Sequence, residues 1–309
     1  MHSNDWLHSS IEYIEANLRN RISPSTLAAD SGHSLRNFQR LFRDRTAENV
    51  MEYVRGRRLT EAMIAIVESK RSILDIALDF QFESQQSFTR AFRARFQFPP
   101  KRFRENGVTD HPSMKFRFSA DYLQMIERRA ITLDPAIIKM KPAFYIGLPI
   151  GVDINAFNKP EPVRGTAAFL SEFRERRHEI ASPSVTNLAD GELLVSYRAF
   201  RASTNGKDKL VVLAAVQVAS KVHPPHGMQL LSAPSTMAAV FDYVGTLDNY
   251  WLASYYIGGC WLPRSRYWSG DAPILQYVQA VEGQTGSYKF RFIIPVRSRF
   301  PSLVNRWWG

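Results

Sequence analysis

Residues 82–92 read FESQQSFTRAF. Gln85, Gln86, Ser87 and Arg90 bring hydrogen-bonding groups that are not acidic, set among Phe82, Phe88 and Phe92. At about 100° per residue, Phe88, Ala91 and Phe92 share one side of a helix with Phe96 nearby, while Gln86, Arg90 and Arg93 fall on the other. The stretch LAADSGHSLRNFQRLFR at 27–43 repeats the arrangement: Phe38, Leu41 and Phe42 inward, Arg36, Arg40 and Arg43 outward, flanked by Gln39. These side chains suit the edges of bases in a DNA major groove. A guanidinium donates two hydrogen bonds to guanine, and a glutamine amide bonds adenine in both directions. Neither outward face reads as carrying a carboxylate, which phosphates would repel.

Elements must hold these side chains in place. In each copy an apolar-Ala helix ends near Asp30 or Asp79, and a short turn leads to Ser34 or Ser84, good N-caps for the next helix. The phenylalanine pairs Phe38/Phe42 and Phe88/Phe92 are offset by 50 in number. The spacing predicts two helix-turn-helix units. Between them, ENVMEYVRGRRLTEAMIAIVES (48–69) has no proline, and Val50, Val54, Ala62 and Ile66 form an apolar stripe. About 21 helical residues rise ~31 Å. Successive major-groove faces lie ~34 Å apart. One chain with a stiff central helix therefore spans two grooves without dimerising.

The totals agree. The 309 residues suffice for two domains, and 45% of them are apolar. The formal net charge of +11 favours an acidic partner, nucleic acid first. Six cations and no carboxylate lie between Arg90 and Arg104, counting both, which reads as a basic surface. One cysteine, Cys260, excludes an internal disulfide framework and fits a reducing cytosol. It sits between a glycine pair and Trp261 and reads as a packed thiol. No segment resembles a signal peptide or a membrane span, so a cytoplasmic protein is expected. The prolines of HPPH (223–226) keep His223 and His226 from sharing a helix face, and no third ligand lies near, so no metal is expected. No phosphate-binding glycine loop or G-x-S-x-G appears, and neither a cofactor nor catalysis is expected.

NGVTDHPSMK (106–115) reads as a linker. Beyond it come β-branched and aromatic runs: AFYIGLPIGV, ELLVSYRAF, LVVLAAVQV, MAAVFDYVG, ILQYVQAV and KFRFIIPV. Helical spacing appears in TAAFLSEFRERRHEI and LDNYWLASYYIGGCWLP. The order strand, helix, strand, strand occurs twice, which predicts a duplicated α+β unit.

The first part resembles the DNA-binding domain of the AraC/XylS family. RRLTEA (57–62), ILDIALDFQFESQQSFTRAFRARF (73–96) and PPKRFRE (99–105) carry the likeness, which covers about Asp5 to Glu105. It is similar to the Rob subgroup, where this domain comes first. The resemblance puts Arg36, Gln39 and Arg40 on one recognition helix and Gln85, Gln86, Ser87 and Arg90 on the other. It also implies activation through contact with RNA polymerase. Close relatives place tryptophan where Arg36 stands, which shifts the base preference of the first helix. Many members have glycine where Gln81 stands, at a turn that calls for positive φ.

The second part resembles the GyrI-like effector-binding domain, over roughly Lys139 to Arg297. YVGTLDNYWLASYYIGGCWLP (243–263), DAPILQYV (271–278) and IIPV (293–296) carry that likeness. It implies a site for a small amphiphilic effector. Tyr243, Trp251, Tyr255, Trp261 and Trp268 are the aromatic candidates, since flat rings hold apolar bodies and attract cations. Glu192, Asp242 and Glu282 are the carboxylates available to a cationic ligand.

The expected fold is multidomain α and α+β: an all-α double helix-turn-helix domain over 1–107, a connecting segment over 108–138, and a duplicated α+β GyrI-like domain over 139–309. The expected function is a ligand-modulated, sequence-specific DNA-binding activator. Two alternatives stand beside it. In one, a GyrI-like domain hydrolyses small molecules with Glu192 or Glu282. In the other, an architectural DNA-binding protein uses its second domain only for contacts.

Overall fold

The computed structural model describes residues 5–107, 111, 113–152, 166–180, 192–199 and 209–299. The chain forms two compact units. One runs through Ala130 and includes Leu252–Arg264; the other holds Ile131–Trp251 and the residues from Ser265 onward.

The helical unit comprises α1 (Asp5–Ala16), α2 (Pro24–Asp30), α3 (Leu35–Thr46), α4 (Val50–Glu68), α5 (Ile73–Asp79), α6 (Gln85–Phe96), α7 (Pro100–Asn106) and α8 (Ala120–Glu127). Both expected N-caps are present. Ser34 Oγ accepts from Asn37 N–H at 3.3 Å, and Ser84 Oγ accepts from Ser87 N–H at 3.1 Å. The long central helix begins at Val50, where Asn49 N–H donates to Glu52 Oε2 at 3.4 Å. Its far half, with Leu59, Ala62, Met63 and Ile66, shares one core with Ile76, Phe80, Phe88, Phe92, Phe96 and Phe103. Its near half buries Tyr53 against Phe42 and Phe118, ring centroids 6.2 and 4.3 Å away. Arg57 grips Glu15 of α1 through three contacts of 2.7–3.0 Å. Burial opposes the guanidinium charge there, but Glu15 outweighs it and holds the Arg57 pKa above its ordinary value.

Of the segment expected to connect the domains, the described residues through Ala130 are built into this unit, and the remainder from Ile131 belongs to the other. The part through Ala130 carries α8 and buries Met114, Lys115, Phe118 and Tyr122. The stretch Leu252–Arg264, read above as part of the second domain, also makes its contacts here. It begins as α10 (Trp251–Tyr256), widens into a π-helical stretch Ile257–Trp261, and ends in one turn, Leu262–Arg264.

The second unit is built on one antiparallel nine-stranded sheet. Its strands are β1 (Ala136–Met140), β2 (Ala143–Val152), β3 (Glu192–Ala199), β4 (Lys209–Val218), β5 (Gln229–Ala233), β6 (Thr236–Gly245), β7 (Tyr267–Ser269), β8 (Ile274–Ala280) and β9 (Tyr288–Ser298). The order is β1-β6-β9-β8-β3-β4-β2-β5, with β7 beside β9. The expected duplication is visible as β6-β9-β8 facing β3-β4-β2 across the β3–β8 pair, where Leu194 stands opposite Gln276. Each half borrows its edge strand from the other. β1 precedes β2 but pairs with β6, and β5 precedes β6 but pairs with β2. Tyr145, Leu193, Val195, Leu213, Ala215 and Leu275 line a core on one face. The helix α9 (Thr166–Arg176) contacts β2 and β4 and buries Phe169, Leu170 and Phe173. Gly147 of β2 is required where it stands, because a Cβ there would lie 2.2 Å from Ala214 O.

Candidate nucleic-acid interface

Two helix-turn-helix units are present, α2–α3 and α5–α6. Their turns share one hydrogen-bond pattern. Gly32 N–H and His33 N–H donate to Ala29 O and Ala28 O at 3.0 and 2.9 Å; Gln81 N–H and Phe82 N–H donate to Leu78 O and Ala77 O at 3.0 and 2.9 Å. That geometry needs a left-handed residue, and Gly32 (φ 68°) and Gln81 (φ 64°) supply it. Gln81 tolerates the position and makes a contact glycine cannot: its Nε2 donates to Arg19 O beyond α1 at 2.6 Å.

Phenylalanines anchor both second helices. Phe38 and Phe42 of α3, and Phe88, Phe92 and Phe96 of α6, are fully buried. On α3, Arg36, Gln39, Arg40 and Arg43 are exposed. On α6, Gln85, Gln86, Arg90 and Arg93 are exposed, and Ser87 is half-buried. The Ser87 hydroxyl works inside the helix start, donating to Ser84 O at 2.9 Å and accepting Ser84 N–H at 3.3 Å.

Two details correct the sequence reading. Asp44, one turn beyond Arg40, is exposed and pairs with Arg40 Nη1 at 3.2 Å, so the outward face of α3 does carry a carboxylate. The i,i+4 spacing makes that pair, and Arg40 also donates to Asn37 Oδ1 at 3.0 Å. Arg95, counted above within a basic surface, is buried, and its Nη2 donates to Gly259 O at 2.9 Å. Burial lowers its pKa to about 10.

Residues distant in sequence form a buried polar cluster beside these helices. Lys115 and Glu48 make an ion pair with both side chains 2% exposed. Lys115 Nζ also reaches Cys260 Sγ at 2.7 Å and lies 4.2 Å from the Phe118 ring centroid. Tyr122 OH is 3.1 Å from the same sulfur and donates to Thr46 O at 3.2 Å. Burial pushes the Cys260 thiol pKa up, with Lys115 opposing, and pushes the Tyr122 hydroxyl well up. The thiol is buried and packed, as the sequence suggested. The rest of the cluster gave no signal, since its members stand at 48, 115, 122 and 260 with no motif joining them.

The candidate effector residues divide between the units. Tyr255 stacks on Phe116 at 3.9 Å between centroids in the helical unit, where Trp261 also lies. In the sheet unit Tyr243 is buried and its hydroxyl donates to Asn249 Oδ1 at 2.8 Å. Trp251 Nε1 donates to Asp248 O at 2.8 Å. Arg299 lies over the Trp268 ring, 3.9 Å from its centroid. Asp242 is exposed and takes both arms of Arg291 at 2.7 and 3.0 Å, so its charge is already matched. Glu282 is exposed near Gly283 in the turn before β9, and the side chain of Glu192 lies outside the described residues. Among the described residues no helix is long and apolar enough to cross a membrane.

Two family profiles match, a helix-turn-helix domain over 27–106 and a GyrI-like small molecule binding domain over 165–297. The putative HTH-type transcriptional regulator YkgA of Escherichia coli is 34% identical over 206 residues, covering 67% of this chain and 79% of YkgA. The chain belongs to the AraC/XylS family of transcriptional regulators. Its other AraC/XylS relatives include the right origin-binding protein of Escherichia coli, 39% identical over 122 residues (40% of this chain, 42% of that one). The multiple antibiotic resistance protein MarA of Salmonella typhimurium is 37% identical over 98 residues, which cover 32% of this chain and 77% of MarA. A crystal structure of an AraC-type regulator from Chromobacterium violaceum aligns with 34% of this chain and 95% of its own, at 26% identity and a TM-score of 0.33. The order of parts, DNA-reading unit first and GyrI-like domain second, is that of the Rob subgroup.

Proposed function

We propose that one chain reads two successive major grooves with α3 and α6, and that a small amphiphilic molecule taken up by the GyrI-like domain modulates this. One observation carries the reading. Two helices with buried phenylalanines and exposed Arg and Gln stand at either end of α4, an unbroken 19-residue helix. At 1.5 Å per residue α4 rises roughly 28 Å, somewhat short of the ~34 Å between groove faces. The duplex then bends toward the protein, at a cost of order a few kcal/mol. The exposed Arg36, Gln39 and Arg40 of α3, and Gln85, Gln86 and Arg90 of α6, are the base-reading candidates; Arg43 and Arg93 suit phosphates. The likeness to the Rob subgroup supports an activator that contacts RNA polymerase. The profile over 165–297 supports the effector, with Tyr243, Trp251 and Trp268 as ring contacts.

Hydroxyl-radical footprinting of the full chain on a duplex that it selects from a random library tests the groove reading. Protection in two windows about one helical turn apart, per bound monomer, is expected. A single protected window rejects it.

A further inference from the structure

The C-terminal ends of both recognition helices meet one object, the stretch Leu252–Arg264. Ala47 caps α3 in a left-handed conformation (φ 59°), and its carbonyl accepts from Arg264 Nη1 at 2.7 Å. Thr46 O, at the end of α3, accepts from Tyr122, whose hydroxyl touches Cys260 Sγ. Glu48, just past α3, pairs with Lys115, which touches the same sulfur. On α6, Arg95 in the last turn donates to Gly259 O at 2.9 Å. The turn over Ile257–Trp261 is π-helical, and two arginines bond carbonyls within it: Arg95 Nη2 donates to Gly259 O, and Arg264 Nε donates to Cys260 O at 2.9 Å. Gly259 lets the Met114 backbone pack closely on this stretch, since a Cβ there would meet Met114 O at 2.7 Å.

We infer that Leu252–Arg264 is a positioning element for DNA reading: it ties the C-terminal ends of α3 and α6 together and fixes the separation and angle at which both meet the duplex. This rests on the two-groove reading above. Two sites held rigidly bind as one, because the second contact forms at a high effective concentration once the first is made. Loosening the tie lowers that gain and leaves each single contact as it was. The stretch falls within the part of the chain matched by the small-molecule-binding profile, and the chain enters it from Trp251 and leaves it at Ser265, both in the sheet unit. The chain thus joins this stretch covalently to residues of the sheet unit at both ends, while hydrogen bonds join it to the ends of both reading helices.

The test uses the full chain with Gly259→Ala and Arg264→Ala. Binding is measured by fluorescence anisotropy on the duplex selected by the wild type. It is also measured on duplexes with either groove site scrambled, and on one with a base pair inserted between the sites. Each variant is expected to lose about tenfold on the intact duplex and stay within about twofold of wild type on either single-site duplex. Each should also lose less than wild type to the inserted base pair. Equal losses on every duplex mean only that less protein is folded, and overturn the inference, as does no loss on the intact duplex. If Gly259→Ala does not fold, Arg264→Ala carries the test, because its side chain is partly exposed and its removal opens no clash. A wild type indifferent to the inserted base pair rejects the two-groove reading itself, and the inference with it.

Discussion

The two helix-turn-helix units share a plan and differ in how their arginines are held. On α3, Arg40 is braced by Asn37 and Asp44 before any DNA arrives. On α6, Arg90 has no carboxylate within ion-pairing distance among the described residues, and the helix start is instead stiffened by the Ser84–Ser87 box. Behind them, α3 leans on rings gathered from across the unit: Trp6 of α1 against Phe38, and Tyr53 and Phe118 against Phe42. α6 leans on rings close in sequence, with Phe82 against Phe88 and Phe96 and Phe103 against Phe92. The same shape is therefore reached with ring contacts drawn from distant segments in the first unit and from nearby ones in the second.

The largest expected effect tests whether both hooks rest equally on their rings. Phe42→Ala and Phe92→Ala each remove a side chain with no exposure, and each is expected to cost about 3–5 kcal/mol of stability. Urea unfolding followed by circular dichroism measures both. A cost under about 1 kcal/mol for either breaks the pairing of the two units, because a cavity that collapses so cheaply is not an anchor.

Much of this was legible because it is periodic and local. The phenylalanine pairs, the serine caps and runs such as 143–152 and 237–245 each report on a helix face or a strand within a dozen residues. The duplication was legible too, as order repeated. What sequence withheld depends on partners far away in number. β1 and β5 pair with the first strands of opposite halves, and no pattern in AIIKM or QLLSA says so. Lys115 sits in a stretch rich in turn formers, and its burial is explained by Glu48, Cys260 and the rings of Tyr53, Phe118 and Tyr122. Arg95 looked like its neighbours in a basic run until Gly259 was beside it. Asp44 is different: its i,i+4 spacing from Arg40 is a local signal that the sequence does carry.

The intermediate effect concerns DNA. Arg90→Ala is expected to cost about 1–3 kcal/mol of specific binding and to relax base preference at its site. Arg40→Ala is expected toward the lower end of that range, since Arg40 gives up part of its bonding to Asn37 and Asp44 when it meets a base. Asp44→Ala sharpens the contrast. If α3 meets DNA as proposed, removing this carboxylate is expected to strengthen binding on every duplex, most at low salt. Anisotropy titrations over a range of salt concentrations measure all three. If Arg40→Ala costs more than Arg90→Ala, the brace prepares Arg40 for its base and does not hold it back, and the comparison reverses.

The smallest effect lies in the turns, where Gly32 and Gln81 do the same backbone work by different means. Glycine enters the left-handed region freely, whereas Gln81 is strained there and is partly compensated by its bond to Arg19 O. Gln81→Ala keeps the strain and deletes the bond, for an expected loss of about 1 kcal/mol. Gln81→Gly deletes the bond and relieves the strain, and should fall within about 0.5 kcal/mol of wild type. Gly32→Ala, with nothing within 4 Å of its added Cβ, isolates the backbone term alone at about 1 kcal/mol. Thermal melts of the three proteins separate the contributions. If Gln81→Gly is as costly as Gln81→Ala, the Arg19 contact outweighs the backbone, and the second turn is held from α1 and not by its own conformation.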